Sequence, residues 1–107
     1  MNLLGISINH RTAPVELREA LHLSEDEIRK FIQQTKDSAF AEGIIISTCN
    51  RTEIYAIPKS DKTSLKDLQN LIKNYKSIFE VKDDHFENYI SRESLEHLFR
   101  VACGIES

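Results

Sequence analysis

Short apolar runs separated by polar turns predict the strands of this chain. Residues 3–8 form an apolar, strand-like run that stops at the polar residues 9–12. Residues 44–46 are all β-branched, and residues 53–57 form another strand-like run after a few polar positions. Runs bounded in this way are typical of strands. We therefore predict a buried first strand and a later pair of strands joined by a hairpin or a tight connection.

Apolar residues at helical spacing predict three helices. Ser24 and Glu27 form a capping-box signature, and the apolar positions after them favour a helix from Ser24 to Asp37. Ser64 begins a second predicted helix and Ser91 a third. The apolar stripe of the second helix consists of Leu65, Leu68, Leu71, Ile72, Tyr75 and Phe79. The apolar stripe of the third helix consists of Leu95, Leu98, Phe99 and Ala102.

The order of these elements favours an α+β fold. Residues 16–21 are predicted to add a short helical turn, and residues 86–90 a short edge strand. The order β-α-β-β-α-β suits a ferredoxin-like two-layer sandwich, with an additional C-terminal helix. A length of 107 residues corresponds to one domain. Because the sequence stops just after the third helix, we expect residues 1–107 to be one domain of a longer protein.

Composition excludes several classes of function. Lys and Arg number 14 against 17 Asp and Glu, a net charge of −3, which does not suit a generic nucleic-acid binder. A stripe of Lys62, Lys66, Lys73 and Lys76 is interrupted by acidic residues and is typical of a solvated helix face. The chain has no apolar run near the about 20 residues of a membrane span, and no signal-peptide pattern. With two cysteines only, we expect a cytoplasmic protein with free thiols.

Cys49 is the first candidate for chemistry, because it lies in a polar turn after a strand. A thiolate is a strong nucleophile, and a neighbouring cation such as Arg51 favours it. Arg51 can instead hold a substrate carboxylate through two parallel hydrogen bonds, and the two roles compete. The alternative is that Cys49 is simply a small residue tolerated in a turn, although cysteine usually prefers the core.

Two histidines are further candidates. At about 100° per residue, His97 lies almost opposite the apolar stripe of the third helix. It therefore faces either solvent, the commoner case, or a second surface shared with Cys49, where its titration range suits acid–base chemistry. Asn9 and His10 close the first strand, and they either support such a site or form an ordinary polar loop.

Metal and nucleotide sites are not expected in this chain. A zinc site from Cys49, Cys103, His10 and His97 lacks any paired ligand spacing, and we interpret Cys103 as a packed thiol. The three glycines are isolated from one another and form no phosphate-binding loop. Nucleotide chemistry would therefore need another part of the protein.

Three sequence blocks, in order, resemble the glutamyl-tRNA reductase family. Residues 5–15 with Arg18 and Glu19 resemble its N-terminal signature, and residues 47–55 resemble its active-site segment. Residues 97–107 are similar to its third signature. The resemblance spans the chain and covers the N-terminal catalytic domain of the family.

The resemblance implies a specific reaction. The family uses NADPH to reduce the glutamate carried by its tRNA to glutamate 1-semialdehyde, the first step of tetrapyrrole (porphyrin) synthesis by the five-carbon route. It implies that Cys49 attacks the ester carbonyl and forms a thioester, and that His97 acts as acid or base. Thr48, Asn50 and Arg51 would line the glutamate pocket, with Arg51 on a carboxylate. Ser107 matches a serine that contacts the substrate.

The resemblance also implies what this chain lacks. NADPH would be bound by a separate domain, and the homodimer would form mainly through a further helical domain. We therefore expect no metal, no membrane partner and no reductase activity from these residues alone. Two other classes stay open: a non-catalytic ferredoxin-like binding module and a metal-binding or redox module.

Overall fold

A computed structural model describes residues 3–35, 38–90, 95–97 and 100–101. Its strands are β1 (Leu4–Asn9), β2 (Phe40–Ser47), β3 (Arg51–Pro58) and β4 (Glu87–Ile90). Its helices are α1 (Val15–Leu21), α2 (Glu25–Gln34) and α3 (Leu65–Lys76), and a 3₁₀ turn spans Asp83–His85. Residues 95–97 and 100–101 are also helical. No helix in these ranges is both long enough and apolar enough to cross a membrane.

The four strands form one antiparallel sheet in the order β2-β3-β1-β4. The central pair runs in register from Leu4 opposite Ala56 to Asn9 opposite Arg51. In the same register, Ser7 lies opposite Glu53. Because successive side chains on a strand point to opposite faces, the register separates an apolar face from a polar one.

The hydrophobic core lies between the apolar face of the sheet and the helices. Its strand members include Ile6 and Ile8 of β1 and Ile54 of β3. Phe31 of α2 and Leu68 of α3 cover them from the helix side. The polar face is therefore left for the candidate site.

The predicted fold class is confirmed as a mixed α/β domain with a four-stranded antiparallel sheet. Both predicted capping boxes are present, with Ser24 before α2 and Ser64 before α3. The segment predicted as a helical turn forms α1, so two helices separate β1 from β2. Ser91, the predicted start of the last helix, lies outside the described residues, as does Asp37.

The predicted stripe of the second helix is wrong at its end. Helix α3 stops at Lys76, and the next residue, Ser77, takes a left-handed conformation with φ of 55°. A left-handed residue just past the last turn is a common helix terminator. Phe79 therefore lies beyond the helix and is 67% exposed.

Candidate active site

The polar face of the sheet is buried at its centre and partly buried along β4, and it carries a continuous set of hydrogen-bonding side chains. These side chains come from the central strands β1 and β3 and from the edge strand β4. His97 packs against them and contacts Glu53 of β3. The set consists of Ser7, Asn9, Arg51, Glu53, Tyr55, Glu87, Tyr89 and His97. Buried polar groups are tolerated when they are paired, and the pairing here is extensive.

Glu53 is the centre of this set and is fully buried. Its Oε2 accepts hydrogen bonds from Ser7 Oγ at 2.9 Å and from Arg51 Nη1 at 2.8 Å. The same oxygen lies 2.8 Å from His97 Nε2, and Oε1 accepts from the hydroxyl of Tyr55 at 2.8 Å. Because an ionised carboxylate only accepts, His97 carries a proton on Nε2. One buried carboxylate thus orients four donors from β1, β3 and the last helix.

Tyr55 acts in this set as a neutral donor. Burial raises the pKa of its phenol far above the ordinary value, and the negative charge of Glu53 adds to the shift. The hydroxyl hydrogen therefore stays in place and points at the carboxylate of Glu53.

Glu87 forms a second carboxylate centre beside the first. It accepts hydrogen bonds from Asn9 Nδ2 at 2.8 Å, from Arg11 Nη2 at 3.1 Å and from the hydroxyl of Tyr89 at 2.6 Å. Burial opposes ionisation, but the hydrogen bonds from Tyr89 and Asn9 and the charge of Arg11 hold the pKa of Glu87 below its ordinary value. Asn9 Nδ2 also donates to Ser7 Oγ at 2.8 Å, which joins the two carboxylate centres.

His97 is held by both a hydrogen bond and a ring contact. Its ring stacks on Tyr89 with a centroid distance of 4.3 Å and an interplanar angle of 14°. His97 is 5% exposed, whereas Leu95 on the predicted apolar stripe is 57% exposed. Of the two alternatives for His97, exposure to solvent is wrong, and the ring lies against a second surface, the polar face of the sheet. His97 packs against the buried polar face of the sheet, which a search for apolar periodicity does not detect.

The turn from β2 to β3 presents Cys49 to solvent as a free thiol. The backbone N–H of Thr48 donates to the carbonyl of Arg51 at 2.8 Å. Thr48 Oγ1 accepts the backbone N–H groups of Asn50 at 3.2 Å and Arg51 at 3.3 Å. Arg51 is only 3% exposed and points into the polar face. One tight turn thus carries an exposed thiol at Cys49 and, two positions later, a side chain that enters the buried polar face.

The other predicted residues are placed as follows. Asn9 is fully buried within the polar set, while His10 is exposed on the loop after β1. Ser107 and Cys103 lie outside the described residues. Across the ranges that the structure describes, no group of three or more His, Cys, Asp or Glu side chains is placed to hold a metal ion.

The lysine stripe of α3 and its flank is partly neutralised by acidic side chains. Lys66 pairs with Asp83 at 2.5 Å, and Lys76 pairs with Glu27 at 2.7 Å. The two ion pairs lower the net positive charge of the stripe, while a weak contact of the stripe with a phosphate backbone stays an open alternative.

Sequence reasoning missed the centre of the site. Neither Glu53 nor Glu87 was singled out from the sequence. The available signal was polar residues at every second position of otherwise apolar strands, as in Ser7 and Asn9 or Arg51 and Glu53. That spacing places each pair on one face of its strand.

The fold and the site define a mixed α/β domain whose sheet carries a buried polar face below a cysteine-bearing turn. Comparison with known proteins gives the same result at the level of family. Residues 6–107 match the family described as "Glutamyl-tRNAGlu reductase, N-terminal domain". The chain therefore belongs to the glutamyl-tRNA reductase N-terminal domain family.

Individual relatives agree with this assignment. A glutamyl-tRNA reductase of Chloroherpeton thalassium is 38% identical over 109 aligned positions, which cover 100% of this chain and 25% of the relative. The reductase of Chlorobium phaeobacteroides strain BS1 is 36% identical, with 100% and 26% covered. The solved glutamyl-tRNA reductase of Methanopyrus kandleri matches with a TM-score of 0.66 and 30% identity, over 98% of this chain and 23% of that one. The chain thus spans about a quarter of the length of these relatives.

The first prediction concerns the buried carboxylate of Glu53. Glu53→Gln removes the charge that compensates Arg51, and breaking a buried ion pair in this way costs about 3–5 kcal/mol. We expect a loss of this size in the free energy of unfolding, measured in urea. Asp83→Asn is the control, because it breaks an exposed pair with Lys66 and should change stability little. Equal losses in the two variants would contradict the central role of Glu53.

The second prediction concerns the pH dependence of stability. Because the folded-state pKa of Glu87 is lowered, its ionisation stabilises the fold above the ordinary value of 4.5. This contribution is lost as the pH falls through the lowered pKa. The free energy of unfolding should be measured in urea between pH 7 and pH 3, in roughly half-unit steps. We expect it to fall less steeply with decreasing pH in Glu87→Gln than in the unsubstituted chain. Glu80→Gln controls for removal of one negative charge. If the free energy of unfolding of Glu87→Gln depends on pH as it does in the unsubstituted chain, the prediction is contradicted.

Proposed function

We propose that this chain is the glutamate-binding, thioester-forming domain of an NADPH-dependent glutamyl-tRNA reductase, an enzyme of tetrapyrrole synthesis. The observation that carries the proposal is the turn in which the exposed Cys49 lies two positions before the buried, charge-paired Arg51. The relatives support it, because they are glutamyl-tRNA reductases that match over the whole of this chain.

The proposed step is transfer of the glutamyl group from tRNA to Cys49. The thiolate sulfur attacks the carbonyl carbon of the ester, and a carbon–sulfur bond forms. The bond from that carbon to the ribose oxygen then breaks, and the oxygen leaves as the 3′-terminal hydroxyl of the tRNA after taking up a proton. No electrons are exchanged in this step, and its product is a thioester on Cys49. Exposure of the cysteine turn gives a large substrate access to the sulfur.

Arg51 is proposed to recognise a carboxylate of the glutamyl group. A guanidinium holds its N–H donors in one fixed plane, and the hydrogen bond from Nη1 to Glu53 sets the orientation of that plane. Because Glu53 fixes the guanidinium, little side-chain entropy remains to be lost when a substrate carboxylate binds. Thr48 and Asn50 flank Cys49 in the same turn and are proposed, with Ser107, to complete the pocket.

His97 is proposed to move a proton in this chemistry. Its Nε2 is directed at Glu53, and stacking on Tyr89 holds the ring plane. A carboxylate that accepts from one ring nitrogen also fixes the tautomer and the orientation of the ring. Asn9 supports the arrangement through its hydrogen bond to Ser7. His10 is proposed as a supporting residue on the exposed loop after β1.

The residues that the structure describes do not offer a fit for NADPH. Of the glycines in the described ranges, Gly5 lies inside β1 and Gly43 inside β2. Neither forms the glycine-rich turn before a helix that holds a dinucleotide pyrophosphate. We therefore assign nicotinamide binding and the hydride step to other parts of the reductase, together with contacts of a homodimer.

We further assign the fold to the ferredoxin-like sandwiches with an added C-terminal helix. The antiparallel order β2-β3-β1-β4 and the packing of α2 and α3 on one face support the assignment. We also propose a cytoplasmic location, because an exposed nucleophilic thiol needs a reducing compartment to stay free.

The third prediction tests the nucleophile. Incubation of the chain with glutamyl-tRNA should give slow release of free glutamate, because water attacks the thioester when no hydride donor is present. Cys49→Ser should abolish this release, since a serine hydroxyl is a far weaker nucleophile near neutral pH. Cys103→Ser is the matched control and should keep the rate. Unchanged turnover in Cys49→Ser would refute the assignment.

The fourth prediction tests the carboxylate clamp. Arg51→Lys keeps the charge but loses the planar pair of donors, so discrimination for glutamyl over glutaminyl ester should fall about ten- to hundredfold, as expected for one charged hydrogen bond. The measured quantity is the ratio of release rates for the two charged tRNAs. Arg29→Lys on the exposed side of α2 is the control. If Arg51→Lys keeps the same ratio of release rates as the unsubstituted chain, Arg51 does not recognise the carboxylate.

A further inference from the structure

We propose that His22 is a positioning residue for Cys49, acting through the backbone carbonyl of Thr48. The inference rests on the proposed function of Cys49 as the acyl acceptor. His22 follows α1 directly and lies in the short connection to α2, far from the cysteine turn in sequence. Its Nδ1 lies 3.0 Å from the carbonyl oxygen of Thr48 and 3.1 Å from Ser47 Oγ.

The direction of the first hydrogen bond follows from chemistry. A backbone carbonyl only accepts, so the contact with Thr48 requires a hydrogen on Nδ1 of His22. In the neutral ring, Nε2 then carries the lone pair. This is a definite tautomer, set by the peptide group that precedes Cys49.

Neighbouring hydroxyl groups are consistent with the same direction. When Thr52 Oγ1 donates its hydrogen to the carbonyl of Leu21 at 3.4 Å, Ser47 Oγ is the donor in the 2.9 Å contact between Ser47 and Thr52. Ser47 Oγ then accepts, taking the backbone N–H of Leu23 at 3.0 Å and the Nδ1–H of His22. One connected set of hydrogen bonds therefore ties the α1–α2 connection to the end of β2.

The cysteine turn thus has an anchor on each side. On the C-terminal side, Arg51 is held by Glu53. On the N-terminal side, the carbonyl of Thr48 is held by His22. Cys49 itself is exposed between these anchors. Without the anchor on Thr48, the peptide group before Cys49 can rotate, and the direction of the sulfur is no longer fixed.

The effect on acyl transfer should be much larger than the effect on simple thiol chemistry. Transfer from a bound ester needs the sulfur at a defined place, and a misplacement of about 1 Å can cost about a hundredfold in rate. A small alkylating reagent approaches an exposed thiol from any side and has no such requirement. The two rates therefore separate positioning from general reactivity or unfolding.

Three substitutions at His22 distinguish the proposal from a merely structural role. The side-chain amide of asparagine can place an N–H near the position of Nδ1, glutamine extends its amide further, and alanine removes the donor. We expect His22→Asn to preserve the hydrogen bond to Thr48, and His22→Gln and His22→Ala to lose it. The pair of asparagine and glutamine keeps the test informative even where alanine fails to fold. His85→Ala is the control for removing a histidine elsewhere.

The first experiment does not depend on the reaction. Nitrogen-15 NMR of the labelled chain should show the Nδ1–H tautomer for neutral His22, and relaxation should show a rigid turn at Cys49 and Asn50. The turn should become more mobile in His22→Ala and His22→Gln but not in His22→Asn or His85→Ala. An Nε2–H tautomer, or a turn of equal rigidity in all variants, would overturn the proposal.

The second experiment measures glutamyl transfer from tRNA to Cys49 by mass spectrometry. We expect the transfer rate to be about ten- to a hundredfold lower in His22→Ala and His22→Gln and near normal in His22→Asn. The rate at which iodoacetamide alkylates Cys49 should stay within about twofold of the unsubstituted chain in all three variants. Equal transfer rates would overturn the role of His22. If the unsubstituted chain forms no adduct, the proposed function fails instead, and the NMR result still decides whether His22 anchors the turn.

Discussion

The buried carboxylate of Glu53 is the interaction on which the site depends. An isolated charge at a fully buried position is very unfavourable, so the carboxylate must be paired wherever the sheet assembles. Its partners come from β1, from β3 and from the helix that carries His97. Pairing the charge therefore selects the register of the central strands and the side on which the last helix packs. The polar face orders the same elements that the hydrophobic core orders from the other side.

One face of the sheet packs against the helices to form the core, and the other face carries the candidate site. Apolar residues such as Ile6 and Ile54 bind the helices, while Ser7 and Glu53, one position away, build the site. This division depends on strict alternation along β1 and β3. A slip of one residue in register would exchange the faces, burying Glu53 in the apolar core. The geometry of the site is therefore as firmly determined as the packing of the core.

Much of the fold could be predicted from the sequence, because local signals determine it. The capping residues Ser24 and Ser64 are local, and so is the polar turn at Cys49. The environment of His97 could not be predicted, because its partners lie on strands that are distant in sequence. Apolar periodicity shows only that His97 lies off the apolar stripe, and it does not distinguish solvent from a second surface at that position. The end of α3 was misjudged because the left-handed conformation of Ser77 has no strong signal in a serine.

Stability alone does not account for a buried polar face of this kind. A buried ion pair such as Arg51 with Glu53 can often be replaced by apolar residues of similar volume without loss of stability. What apolar residues cannot supply is a cation held in a fixed orientation, and a histidine with a defined tautomer. Both features suit the proposed recognition of a charged group and the proposed movement of a proton. The polar face thus suits a rigid base for the proposed chemistry at Cys49, which the turn between β2 and β3 places at the surface.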